Sequence, residues 1–71
     1  SLMKKSDLNV GSVYRHIETG KRYVIVEVAN EYSEKWHVMV VYVDDERKVW
    51  ARTINEFLKK FEVWPQMISE V

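Results

Sequence analysis

Short apolar segments alternate with polar breaks along this chain. Segments rich in β-branched and aromatic residues favour β-strands, and the breaks between them have the length of hairpin turns. The pattern predicts five strands, at residues 13–17, 22–29, 36–43, 48–52 and 61–64. The breaks at 18–21 and 44–47 predict tight turns, and Gly20 suits the first because glycine adopts positive φ at little cost.

The residue order of two strands predicts how they lie in a sheet. In the strand at 22–29, three valines alternate with Tyr23, Ile25 and Glu27, so each set is expected to occupy one face. The strand at 36–43 is apolar at nearly every position. Such continuous apolarity is typical of a central strand that is covered on both sides.

Residues 54–59 have the apolar spacing of a short helical turn before the last strand. Thr53 is a candidate N-cap, and Glu56 follows three residues later as in a capping box. The apolar side chains at 54, 57 and 58 would share one face and cover an open end of the strands. The order of elements predicts a mostly β fold, a small SH3-like antiparallel five-stranded barrel with a one-turn helix before the last strand.

With 71 residues, the chain has the length of one small domain. Residues 1–8 are polar and without periodicity, so we expect a flexible leader, in which Ser1-Leu2 is a cloning remnant ahead of Met3. Residues 9–64 are expected to form the barrel, and residues 65–71 a tail.

Composition narrows the chemistry and the setting. There is no cysteine, which excludes disulfides, thiolate metal sites and a cysteine nucleophile. A domain this small without disulfides is expected in a reducing cytoplasm, and its apolar runs are too short to span a bilayer. The 11 basic and 11 acidic residues balance to zero net charge. This balance disfavours nucleic acid as a partner, because binding to phosphate backbones usually involves a basic excess.

The motifs typical of enzymes and metalloproteins are not found. No serine lies in a nucleophile-elbow context, and no glycine-rich loop is placed to cradle phosphate. His16 and His37 are far apart in the sequence, and nothing beside them completes a set of metal ligands. The acidic turn at 44–46 lacks the pattern of a calcium loop. We therefore expect a protein that is not an enzyme and uses neither a metal nor another cofactor.

Five spaced motifs support a family resemblance: Gly11-x-Val13-Tyr14-Arg15-His16, Gly20-x-x-Tyr23, Val40-Val41-Tyr42, Trp50-x-Arg52 and Phe57. Over residues 9–64 they resemble a small bacterial family known as domain of unknown function 1653. The most specific pieces are the triplets 14–16 and 50–52 at their mutual distance. The resemblance implies an SH3-like barrel and no established biochemical role. Thr53 stands where the resemblance leads us to expect proline, so the turn after the fourth strand is expected to differ.

The two triplets contain the candidate binding residues, which are Tyr14, Arg15, His16, Trp50 and Arg52. On a strand, Tyr14 and His16 point to one face and Arg15 to the other. A two-residue hairpin loop would place His16 opposite Tyr23. Trp50 and Arg52 share a strand face, with Tyr14 or Tyr42 as a possible neighbour, and such a pair can stack on a base, a proline or another ring. Alternatively, Trp50 fills the core and His16 is a half-buried histidine with one hydrogen-bond partner.

These observations leave three hypotheses for the function. The preferred one is a cytoplasmic binding module with a protein or peptide partner. The second is a nucleic-acid-binding accessory that uses aromatic stacking and local arginines. The third is a structural protein that self-associates through Trp64 and an exposed edge formed by the strand at 36–43.

Overall fold

The computed structural model describes residues 3–65. Within them, five antiparallel strands form one sheet, and one short α-helix connects the last two strands. The elements are a 3-10 helix at Lys5–Asp7, β1 at Val13–His16, β2 at Arg22–Ala29, β3 at Met39–Val43, β4 at Val49–Thr53, α1 at Ile54–Lys60 and β5 at Phe61–Val63. The mostly β class, the five strands and the place of the helix confirm the prediction.

The sheet has the strand order β4-β3-β2-β1-β5. β1 pairs with β2 and β5, and β3 pairs with β2 and β4. Within the described residues, β4 and β5 each pair with one neighbour and not with each other, so the sheet is not closed. The barrel part of the prediction is therefore not confirmed.

A β-bulge in β2 changes which residues share a face. Ile25 lies opposite Tyr42 and Glu27 opposite Val41, so that Val26 is the extra residue between them. From this point the alternation is reversed, and Val28 joins Ile25 on the core face. The prediction that the three valines of β2 share one face is therefore wrong.

The third strand is shorter than predicted and lies inside the sheet. It begins at Met39, whereas Trp36 lies outside the strands and is 64% exposed. Because β3 has hydrogen-bonded neighbours on both sides, the interior position predicted for it is confirmed. The alternative, in which the segment at 36–43 is an exposed edge for self-association, is wrong.

The first hairpin has a longer loop than the two-residue turn considered from the sequence. Tyr14 lies opposite Tyr23, and the His16 N–H donates to the carbonyl oxygen of Lys21 at 2.7 Å. His16 is therefore not opposite Tyr23. Gly20 has a φ of +76°, which confirms the conformation expected of that glycine.

The helix α1 begins as its sequence predicts. Thr53 is the N-cap, and its hydroxyl oxygen accepts a hydrogen bond from the Glu56 N–H at 3.3 Å. Phe57 is fully buried, and Ile54 and Leu58 pack against the same core. The apolar face of the helix thus covers one face of the sheet.

The core consists of rings and branched side chains from every strand except β4, together with α1 and the N-terminal segment. Its buried members are Met3, Tyr14, Ile25, Val40, Tyr42, Phe57 and Phe61. The rings of Phe57 and Phe61 stack with centroids 4.1 Å apart. This stack joins the helix to the edge strand that follows it.

The segment before β1 contributes to this core. Met3 is buried, and the Tyr14 hydroxyl donates to the carbonyl oxygen of Asp7 at 2.8 Å while accepting from the Asn9 N–H at 2.7 Å. Met3 and Leu8, which lie in the segment expected to be a flexible leader, thus pack with the core, while residues 4–7 are exposed. Ser1-Leu2 and residues 66–71 of the expected tail lie outside the described residues.

Candidate binding site

An arginine covers a group of aromatic rings on the face of the sheet that packs against α1. We call Tyr23, Tyr42, Arg52 and Phe61 the aromatic–arginine cluster. The Tyr42 ring contacts Tyr23 and Phe61 edge to face, with centroids 5.1 Å apart in both pairs. The four residues come from β2, β3, β4 and β5, so the complete sheet is needed to bring them together.

Arg52 is held in place on three sides. Its Nε donates to the Tyr42 hydroxyl at 2.9 Å, and its Nη1 donates to Glu56 Oε1 at 3.2 Å. Its guanidinium carbon lies 5.8 Å from the centre of the Phe61 ring, a cation–π distance. The side chain is still partly exposed. The result is a fixed positive charge at the border between the core and solvent.

The hydrogen bond between Arg52 and Tyr42 and the burial of Tyr42 also affect the pKa values of these two residues. The hydrogen bond that Arg52 donates to the Tyr42 hydroxyl raises the pKa of Arg52 above its ordinary value. Burial raises the pKa of the Tyr42 hydroxyl, although its hydrogen bond with Arg52 acts in the opposite direction. At neutral pH, Arg52 is therefore cationic and Tyr42 is a neutral hydroxyl.

His16 is a further contact of the Phe61 ring. Its ring meets Phe61 edge to face with centroids 5.0 Å apart, and its Nδ1 accepts from the Thr19 N–H at 3.2 Å. Burial lowers the pKa of His16, and the positive charge of Arg52 lowers it further. The neutral ring then carries its proton on Nε2, which is a hydrogen-bond donor. His16 is thus half-buried and has a hydrogen-bond partner, and its role in contacting a ligand stays a prediction.

Trp50 lies opposite Tyr42 on β4 and extends the cluster to the edge of the sheet. The side chain is 49% exposed, so the alternative in which it fills the core is wrong. Its indole Nε1 donates to Asp44 Oδ2 at 3.0 Å, and this bond lowers the pKa of Asp44. An exposed aromatic ring is thereby anchored to the turn between β3 and β4.

The structure divides the five candidate residues between three places. His16, Trp50 and Arg52 lie on the face of the aromatic–arginine cluster. Tyr14 is buried and bonded to the N-terminal segment. Arg15 points to the opposite face, where it forms an ion pair with Glu62.

Two grooves are lined mainly by residues of the connections between strands and by the end of α1. One, with a volume of about 350 Å³, lies between the first and third connections and has a basic and an acidic wall. Its lining residues are Gly20, Lys21, Arg22, Asp44, Asp45 and Glu46. The other, of about 200 Å³, lies between His16, Glu18 and the end of α1 at Lys59 and Lys60. Both grooves are open and charged, a shape suited to a solvated chain rather than an enclosed small molecule.

The sequence interpretation named Tyr42 as a neighbour of Trp50 and Arg52 but missed Tyr23, Glu56 and Phe61. The spacing of Arg52 and Glu56, four residues apart, was an available signal for their ion pair. The contact of Tyr23 and Phe61 with the cluster had no comparable signal, since it depends on the order of strands in the sheet.

The described part of the chain has neither a side-chain cluster for a metal ion nor a helix that could span a membrane. Residues 3–65 contain no group of three or more His, Asp or Glu side chains that could hold a metal ion. None of the helices described is long and apolar enough to cross a membrane.

Comparison with known protein families shows which family the chain belongs to. The model of the family described as protein of unknown function (DUF1653) matches residues 12–68, which is most of the chain. The chain belongs to this family. This result confirms the resemblance seen in the two triplets, and both triplets lie inside the matched range. No curated protein and no solved structure matches the DUF1653 chain.

Proposed function

We propose that this DUF1653 domain is a binding module for a protein or peptide and that Trp50, Arg52 and His16 form its contact surface. The observation that carries the proposal is the pairing of a half-exposed Trp50 with an immobilised Arg52 on one strand face. Tryptophan and arginine are the residues most enriched at the energetic centres of protein interfaces. Because Arg52 is already held by Tyr42 and Glu56, little side-chain entropy remains to be lost on binding.

The charge distribution favours a polypeptide over a nucleic acid. The groove beside Trp50 has Lys21 and Arg22 on one wall and three acidic residues on the other. A phosphate backbone would be repelled by the acidic wall, whereas a polypeptide can present both signs of charge. Nucleic acid remains the alternative, since an exposed tryptophan beside an arginine can also stack on bases.

The proposal includes three finer expectations. The strand order, with a helix before β5, is compatible with an SH3-like barrel that is open between β4 and β5. The cysteine-free composition favours a cytoplasmic setting, and the family resemblance leads us to expect a bacterial source. The sequence has neither a nucleophile-elbow serine nor a phosphate-binding glycine loop, which favours binding over catalysis.

The test is an amide chemical-shift titration of the isotope-labelled chain. The probes are an acidic peptide, a proline-containing peptide, single-stranded DNA and RNA. We expect a peptide to shift amides at His16 and at residues 50–52, and we expect Trp50→Ala and Arg52→Ala to weaken that binding about tenfold or more.

Two matched variants act as controls for these substitutions. Trp36 is exposed, lies outside the strands and contacts Ser33 and Lys35, so Trp36→Ala should leave peptide binding unchanged. Arg47→Ala removes an exposed arginine from a turn, and it should also leave peptide binding unchanged. Shifts with DNA or RNA alone, weakening with added salt, would establish the alternative function. Peptide binding that survives both Trp50→Ala and Arg52→Ala would contradict the proposed surface.

A further inference from the structure

The edge strand β4 has backbone groups that point out of the sheet. Two hydrogen bonds beside the ends of β4 show which of its residues bond to β3. The Asp44 N–H donates to Lys48 O at 3.0 Å, and the Ile54 N–H donates to Val38 O at 2.9 Å. In an antiparallel ladder, residues that bond to the neighbouring strand alternate with residues that do not. The residues of β4 that do not bond to β3 are Val49, Ala51 and Thr53. The N–H and C=O groups of Val49 and Ala51 point away from β3, and so does the N–H of Thr53, whereas the C=O of Thr53 is used by the first turn of α1.

The two edges of the sheet differ in how they are protected from other strands. β5 has three residues, is followed by Pro65, and contains Glu62 in an ion pair with Arg15. Short length, charge and a nearby proline are features that discourage pairing at an edge. β4 has five residues and contains neither a proline nor a bulge, and Val49 at its start is 66% exposed. The open edge of β4 is thus the one suited to strand addition.

We propose that β4 pairs antiparallel with β4 of a second copy of this chain, about a twofold axis that passes through Ala51. In this register Ala51 lies opposite Ala51 of the second copy, and Val49 lies opposite Thr53. The outward-pointing residues are thereby the ones that exchange hydrogen bonds. A twofold axis closes the assembly at two chains.

The side chains of β4 are complementary to themselves in this register. Trp50 of one copy lies opposite Arg52 of the other, so an indole ring meets a guanidinium group twice across the axis. No two like charges are directly opposite within β4. Ala51 is small, so nothing obstructs the two strands at the axis. This self-complementarity is the reason for choosing a second copy over an unrelated strand as the occupant.

The inference goes beyond the proposed function and does not depend on it. Pairing uses the backbone edge of β4 rather than either face of the sheet. The Trp50 and Arg52 surfaces of the two copies would lie side by side on one continuous sheet, so that a dimer would present two contact surfaces in the same direction.

Sedimentation of the whole chain over a wide range of concentration tests the pairing. We expect the mass to rise from 8.5 kDa towards twice that value as the concentration increases. Ala51→Pro removes an outward N–H while leaving the ladder with β3 intact, and it should raise the dissociation constant about tenfold or more because two symmetric hydrogen bonds are lost. Ala51→Ser, which keeps the N–H, is the matched control and should still dimerise.

Hydrogen exchange of the unmodified chain gives a second readout that needs no variant. The amides of Ala51 and Thr53 should gain protection as the concentration rises, because they would donate to Ala51 and Val49 of the second copy. The amides of Trp50 and Arg52 already bond to β3 and should change less. A chain that is monomeric at every concentration would overturn the proposal. So would a dimer in which Ala51→Pro has no effect, or in which the protection appears on other strands.

Discussion

Arg52 connects the core to the candidate surface through two hydrogen bonds of different kinds. Its bond to Tyr42 satisfies a hydroxyl that is buried among rings, whereas its bond to Glu56 lies in the more exposed part of the site. Exposed ion pairs contribute about 0–1 kcal/mol to stability, so the bond to Tyr42 is expected to dominate. A residue at such a border affects folding and binding together, and the two effects must be separated by experiment.

We predict that Arg52→Ala lowers the free energy of unfolding by about 1–3 kcal/mol, because the Tyr42 hydroxyl loses its partner. Tyr42→Phe removes the hydroxyl, so adding Arg52→Ala to that variant should cost much less. Urea denaturation of the four chains of this cycle measures the coupling. Equal losses in the two backgrounds would show that the Arg52–Tyr42 bond does not contribute to stability.

A second prediction at this scale concerns the titration of His16. Its pKa should lie below the ordinary value of 6.5, mainly because of burial and then because of Arg52, while Glu18 acts in the opposite direction. A pKa that is lower in the folded than in the unfolded chain means that the unfolded chain binds more protons in this window. The contribution of His16 to stability is therefore complete above pH 6.5 and is lost as the pH falls through its folded pKa.

The ring-proton shifts of His16 followed against pH measure this value directly. Glu18→Gln should lower the pKa of His16 further, since it removes the negative charge that raises it. A His16→Asn variant should show a shallower loss of stability between pH 6.5 and the folded pKa than the unmodified chain. A folded pKa at or above 6.5 would contradict the burial argument.

At the scale of elements, some features followed from local sequence and others did not. The helix was predictable because its cap, its apolar face and its place before the last strand are all encoded within eight residues, Thr53 to Lys60. The bulge at Val26 was not, because a bulge depends on the partner strand and leaves the valine-rich sequence of β2 looking regular. A two-residue loop would have placed His16 opposite Tyr23, whereas Tyr14 lies opposite Tyr23. The two registers differ by an even number of residues, so each side chain of the hairpin lies on the face expected for it.

The N-cap gives a prediction confined to one element. Thr53→Ala should lower the free energy of unfolding by about 0.5–2 kcal/mol, because the Glu56 N–H loses its acceptor at the start of α1. Thr53→Ser retains a hydroxyl and is the matched control, with a smaller loss expected. Thermal unfolding of both variants is the measurement. If both variants lose the same stability, the methyl group rather than the cap is responsible.

At the scale of the whole molecule, the candidate site depends on contacts that no local pattern contains. Trp50 and Arg52 were recognised from their spacing on one strand, and that part of the surface was predictable. Tyr23 and Phe61 join them through strands β2 and β5, which are remote in the sequence. Arg15 is separated from the surface by the alternation of side chains along β1, which the sequence contained. Tyr14 is separated from it by burial, which depends on the elements packed around its ring.

The size of the domain makes its N-terminal segment important for stability. A chain this small buries a modest share of its surface, so each buried apolar side chain represents a considerable fraction of its stability. Met3 packs with the core although it precedes β1 by ten residues. We predict that Met3→Ala lowers the free energy of unfolding by about 2 kcal/mol or more, through lost burial and the space left behind.

Val10 provides the matched control for Met3, since it is an apolar residue of the same segment that is 60% exposed. Val10→Ala should change stability by less than about 0.5 kcal/mol. Urea denaturation of the two variants compares them directly, and Tyr14→Phe tests the accompanying hydrogen bonds to Asp7 and Asn9. If Met3→Ala is as mild as Val10→Ala while Tyr14→Phe is costly, hydrogen bonding rather than apolar packing holds this segment to the sheet.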